Sequence, residues 1–149
     1  MSGDAMLTQD QVREASKRFY EGLNLMANGK NGNFGEVWSQ NPKSTAMHPI
    51  GGRDLGWDAV KNSFEQVGNL ASSGKVELKD QLINVLGDTA YEIGTEHASF
   101  QLAGKEVAGE IRVTNIYHLD DGKCKMVHHH TDVAASMVNV LNSLQAAAK

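Results

Sequence analysis

The chain has one cysteine, two prolines and no apolar run long enough to span a bilayer. A lone Cys124 excludes an intramolecular disulfide framework and suits a reducing compartment. Without an apolar run of about 20 residues no membrane helix is expected, and the start MSGDAMLTQDQ lacks the basic-then-apolar order of a signal peptide. A cytoplasmic location is the expectation. Positive charge is also scarce: 14 Lys and Arg stand against 18 Asp and Glu, a net charge of −4. The basic residues are scattered, which gives no electrostatic footprint for nucleic acid or a membrane surface. No internal repeat and no low-complexity tract divides the chain. Its 149 residues suit a single domain, 1–149, and a chain of this size buries roughly two-thirds of its unfolded surface.

What is present is patterned. From Thr8 to Ala27, Val12, Ala15, Phe19, Leu23 and Met26 recur at steps of three and four, the stripe of an amphipathic helix. Thr8 or Asp10 can cap its start, and Asn28-Gly29 fits its end. After the NGKNGN link, a short second helix is expected over Phe34 to Gln40, with Trp38 on its apolar side and Pro42 preventing its continuation. Ser44 to His48 reads as a short strand ending in His48-Pro49-Ile50-Gly51-Gly52, where the proline enforces extended geometry and the glycines permit a reversal. Asp54 is placed to cap a third helix from about Leu55 to Leu70, carrying Trp57, Val60, Phe64 and Val67. Ala71-Ser72-Ser73-Gly74 ends it.

Four long strands follow, Lys75 to Leu86, Thr89 to Leu102, Val107 to Leu119 and Lys123 to Thr131, joined by tight Gly- and Asp-containing turns. Helices first and strands afterwards is an α+β order. An Ala-, Leu- and Val-rich helix from Val133 to Ala148 closes the chain. Three consecutive histidines, His128, His129 and His130, end the last strand; since side chains alternate faces, His129 points opposite to its neighbours.

The HP-x-GG turn before the third helix and the long meander ending in DGK-x-K-x-V-H-H-H-T resemble the superfamily named for nuclear transport factor two. Within it the likeness is to the SnoaL-like and ketosteroid-isomerase-like members, over about Leu7 to Asp132. The DGK-x-K-x-V-H-H-H segment is also similar to the association domain of calcium/calmodulin-dependent kinases. The resemblance implies an α+β cystatin-like roll: three N-terminal helices packed on a strongly curved antiparallel sheet, with a C-terminal helix. It further implies a conical pocket between the concave face and the first and third helices, and a homodimer through the convex face.

Isomerase-like members carry a general-base carboxylate in an acidic-residue-Pro turn at the start of the third helix, where this chain has His48-Pro49. An imidazole with an ordinary pKa near ~6.5 suits proton transfer near neutral pH. The oxyanion-holding pair of those isomerases, a helix-one tyrosine and a protonated acid on the penultimate strand, matches Phe19, with Tyr20 one residue along, and Asn115. Phe19 donates no hydrogen bond, so steroid isomerisation is disfavoured, while Asn115 can still orient a carbonyl or hydroxyl.

On the penultimate strand Ile111, Val113, Asn115, Tyr117 and Leu119 form the apolar face that should meet the helices. Similarity to the isomerases turns Glu96 inward as a possible acid beside a histidine; the opposite parity, Tyr91 to Ser99, is equally sheet-like. On the last strand, binary pattern turns Cys124, Met126, His128 and His130 inward, whereas the resemblance turns Val127, His129 and Thr131 inward. A bulge between Lys125 and His128 reconciles the two. His128-x-His130 has a ligand spacing for metal, yet structural histidine is the better reading and no metal or cofactor is expected.

The sequence therefore nominates His48, Asn115 and Glu96 for catalysis. Trp38, Trp57, Phe19, Tyr20 and Tyr117, with the three terminal histidines, are nominated for contact with a small-molecule ligand. The leading function is binding, and acid/base conversion, of a small apolar carbonyl or hydroxy compound. The competing one is a non-catalytic association module.

Overall fold

The computed structural model describes residues 5–148; the first four residues of the MSGDAM start and the final lysine lie outside the described residues. Helix α1, Gln9–Ala27, is opened by a capping box: Gln11 N–H donates to Thr8 Oγ1, and Thr8 N–H donates to Gln11 Oε1. Thr8, and not Asp10, is thus the cap, because its hydroxyl satisfies a donor that the helix itself leaves free. The predicted stripe of Val12, Ala15, Phe19, Leu23 and Met26 is buried throughout.

The second expected helix is only a single 3₁₀ turn, Phe34–Glu36. The chain beyond it is diverted by the sheet: Ser39 N–H donates to Met126 C=O, and Met126 N–H donates to Val37 C=O. These bonds take backbone groups that a longer helix would need.

Strands β1 (Thr45–His48) and β2 (Gly51–Leu55) form a hairpin that precedes helix α2, Trp57–Leu70. Two expectations are corrected here. Residues Gly51 to Leu55 are a strand, and Asp54 caps no helix, because its carboxylate is taken by His48. Gly56, at φ 93°, stands at the N-cap with no side-chain bond. Strand β3 (Ala71–Leu86) starts directly after α2, earlier than the polar Ala71–Gly74 segment suggests. β4 (Thr89–Leu102), β5 (Lys105–Asp120), β6 (Lys123–Thr131) and helix α3 (Ala135–Ala147) complete the chain.

The six strands run in the order β2-β1-β6-β5-β4-β3, antiparallel except for the β1–β6 pair. Register shifts mark bulges at Ser73-Gly74, Asp80-Gln81 and Val127. Bulges of this kind bend a strand and redirect its side chains. α1 and α2 cover one face, and their apolar stripes, with Phe64 of α2 among them, share one core with Phe100, Ile111 and Met126 of the sheet. α3 is fastened by Ala134 N–H to Pro49 C=O (2.8 Å) and by Ser136 Oγ to the backbone of Ala108.

Candidate active site

The site is written along one row of the sheet. Glu92 of β4 is in register with Asn115 of β5, Asn115 with His129 of β6, and His129 with Ala46 of β1. Residues in register on adjacent strands project from the same face, so three polar side chains stand side by side beneath the helices. All three are essentially unexposed. Buried polar groups of this kind persist only when hydrogen-bonded, and here they bond to one another.

Glu92 Oε1 accepts from Tyr117 OH (2.8 Å) and Asn115 Nδ2 (2.9 Å), while its Oε2 accepts from Gln81 Nε2 (2.6 Å). Asn115 Nδ2 also donates to Tyr20 OH (3.2 Å). Both amide hydrogens of Asn115 being engaged, its Oδ1 faces His129 Nδ1 at 2.6 Å. A carbonyl oxygen only accepts, so Nδ1 carries the imidazole proton and Nε2 keeps its lone pair. Burial, then the neighbouring histidines His48, His128 and His130, hold the His129 pKa well below the ordinary value. His129 is a neutral imidazole of fixed tautomer.

The second acid, Glu96, accepts from Tyr20 OH at 2.8 Å through Oε2. Its pKa is pushed up to about 7, first by burial and then by Glu92, against the lowering effect of the Tyr20 hydrogen bond. The third group is His48, whose Nε2 lies 2.7 Å from Asp54 Oδ2. Burial would raise the Asp54 pKa, but hydrogen bonds from His48 and Ser63 and the His48 charge hold it below the ordinary carboxylate value. An ionised Asp54 accepts from Nε2–H, which leaves Nδ1 of a neutral His48 as its basic nitrogen.

His48, Glu96 and His129 all line one cavity of about 60 Å³. Its remaining wall is nearly all apolar, with Leu23 and Met26 from α1, Phe64 and Val67 from α2, Phe100 from the sheet and Met137 from α3. The rings of His48 and His129 are 6.0 Å apart, and Phe64 meets the His48 ring edge-on at 5.0 Å. A few polar groups converging in an apolar hollow, one with a strongly displaced pKa, is the pattern of a ligand or catalytic site.

The other nominated residues fall elsewhere. Asn115, Tyr20, Tyr117 and Phe19 are absent from the cavity wall and stand behind it: Phe19 packs on His129 at 4.9 Å, and the other three belong to the hydrogen-bonded network. Trp38 and Trp57 pack together at 6.2 Å in the core and do not reach the cavity. His128 and His130 are corrected as well. The register skips Val127, so Cys124 and Met126 share the inner face before the bulge while His129 and Thr131 share it after. His128 and His130 project outward, where Thr45 Oγ1 bonds His128 Nδ1 at 2.7 Å. Burial, then Glu92, pushes the Cys124 thiol up to about 11, far from a nucleophilic thiolate. Among the described residues no group of three or more His, Cys, Asp or Glu is arranged to hold a metal ion.

Sequence reasoning missed Glu92 and Gln81. Glu92 shares the parity of Glu96, four residues away on the same strand face, and that was the available signal. Gln81, itself exposed, reaches Glu92 at a bulge where Asp80 and Gln81 together oppose Gly94, which no local pattern announces.

The profile of the SnoaL-like domain family matches residues 12–136. No curated protein matches the chain's sequence. Among solved structures, a proposed dehydratase of the NTF2-like family from Streptomyces avermitilis is 23% identical, with a TM-score of 0.70 over 84% of this chain and 94% of that one. A Caulobacter vibrioides protein of cystatin-like fold is 15% identical, with a TM-score of 0.68 over 91% and 96% of the two chains. The CaMKII hub of S. rosetta is 22% identical, with a TM-score of 0.65 over 90% and 99%.

Proposed function

The chain belongs to the SnoaL-like domain family, and from that premise we propose that it binds a small apolar carbonyl or hydroxy compound and converts it by cofactor-free acid/base chemistry. The observation that carries this is the convergence of His48, Glu96 and His129 on one apolar cavity. His48, held by Asp54, removes a proton from the carbon next to the carbonyl, and Asp54 stabilises the imidazolium that forms. Glu96 is the acid: its raised pKa keeps a substantial protonated fraction near neutral pH, available to the developing oxyanion or to a departing hydroxyl. Asn115 acts through His129, whose Nε2 lone pair accepts a substrate hydroxyl. Return of the proton to a neighbouring carbon gives isomerisation; loss of a β-hydroxyl as water gives elimination. The proposed dehydratase among the similar structures is consistent with the second route.

Proton abstraction is testable without the natural substrate. In D2O the protein should exchange deuterium into the α carbons of small ketones and hydroxyketones, followed by proton NMR. His48→Ala should lower that rate by about 10²- to 10⁴-fold while leaving the circular dichroism spectrum intact. Exchange at the buffer rate with wild-type protein defeats the catalytic reading.

A second reading, an association module, is favoured by the likeness to the CaMKII hub and by apolar side chains on the outer sheet face. It predicts that His48→Ala alters only subunit assembly.

A further inference from the structure

We propose that the cavity selects a compact, uncharged hydroxy-carbonyl compound and rejects carboxylates of the same size. This rests on the cavity being the ligand site of the proposed function and adds the class of ligand. Size sets the first limit. The cavity of about 60 Å³ is far below the roughly 300–1,000 Å³ of pockets that enclose drug-sized ligands. A ligand with well under a dozen non-hydrogen atoms fills it, and a fused-ring steroid does not fit beneath Met137.

Charge sets the second limit. Among the described residues no Lys or Arg lines the cavity. His129 is held neutral, the proton on His48 Nε2 is directed at Asp54, and Glu92 lies behind Asn115. Any charge on His48 is offset by the Asp54 carboxylate it bonds at 2.7 Å, so an anionic ligand would sit against the Glu96 carboxyl with no unpaired cation to offset it, and the apolar wall would strip its water.

Hydrogen-bond polarity sets the third. His129 Nε2 offers a lone pair and no proton, because Nδ1–H is committed to Asn115. A bare ketone has nothing to give it; a hydroxyl does. Glu96, through the oxygen not bonded to Tyr20, can donate to a carbonyl when protonated. A hydroxyl and a carbonyl on one small carbon skeleton complement both groups, and the apolar wall covers the remainder.

The test is isothermal titration of the full chain at neutral pH with hydroxycyclohexanone, cyclohexanecarboxylate and a hydroxysteroid. The hydroxyketone should bind, the carboxylate at least about tenfold more weakly, and the steroid not at all. Met137→Ala, which removes side-chain bulk from the cavity wall, should improve binding of ring-substituted hydroxyketones. Carboxylate binding equal to or tighter than the hydroxyketone, steroid binding to wild-type protein, or binding of none of the probes overturns the proposal. Hydroxyketone binding without deuterium exchange supports this ligand class and removes only the catalytic reading. Exchange accompanied by carboxylate preference does the reverse.

Discussion

Glu96 is the residue on which folding and chemistry pull in opposite directions. Its pKa rises from 4.5 to about 7 on folding. Between those values the folded state therefore binds more protons than the unfolded chain, so stability falls as pH rises through that window. The loss is at most about 3 kcal/mol, since each pKa unit is worth about 1.4. His129 has the opposite sense: its folded pKa is depressed, so the unfolded chain takes up the proton first and stability is lost as pH falls below about 6.5. Glu96→Gln keeps an oxygen to accept from Tyr20 and removes the titration. The variant should gain stability over wild type at pH 8 by up to about 3 kcal/mol and show little gain at pH 4, measured by urea denaturation. An equal difference at both pH values would contradict the burial account. At this scale the sequence was partly legible. His48 was nominated through the likeness of its His48-Pro49 turn to the isomerases, and Glu96 through the same likeness, strand parity alone leaving its direction open. The roles of Tyr20 and Asn115 as supports were not, because which polar side chain touches a cavity depends on contacts more than 70 residues apart, such as Tyr20 with Glu96.

At the level of elements, the bulges decide which residues face inward. The Val127 bulge puts His129, and not its neighbours, under the helices, and the Asp80-Gln81 bulge delivers Gln81 to Glu92. Opposite the second bulge stands Gly94, where an added Cβ would lie 2.7 Å from Leu78 Cδ1 and 2.9 Å from Lys79 O. A backbone oxygen within a paired strand has little room to move. Gly94→Ala should therefore cost about 1–3 kcal/mol, read from the denaturation midpoint; a neutral outcome would mean that the bulge is soft. Periodicity located α1, α2 and the four long strands within a few residues. It failed at Phe34–Glu36, where bonds to distant Met126 divert the chain, and at β2, where the hairpin with β1 takes Gly51–Leu55 into the sheet.

For the whole molecule, the outer face of the sheet carries Leu82 and Ile93 as cross-strand neighbours, 51% and 39% exposed, with Leu86 on the same face. Exposed apolar side chains grouped on one face mark an interaction surface, and a homodimer through this face is the proposed assembly. Leu82→Lys combined with Ile93→Lys should shift sedimentation toward monomer without changing the fold; an unchanged sedimentation coefficient would place the contact elsewhere. The α+β architecture and the family were legible because the helix stripes, the HP-x-GG turn and the meander all agree. The proposed chemistry was legible only as a set of candidates.

The most direct test of the central claim, that His48 and Glu96 form an acid/base pair across the cavity, is the pH dependence of deuterium exchange into a small hydroxyketone. The rate should fall as pH rises through about 7, where Glu96 loses its proton, and Glu96→Gln should be slow at every pH. A wild-type rate that stays level or climbs across that pH range, or a Glu96→Gln variant as fast as wild type, would contradict it.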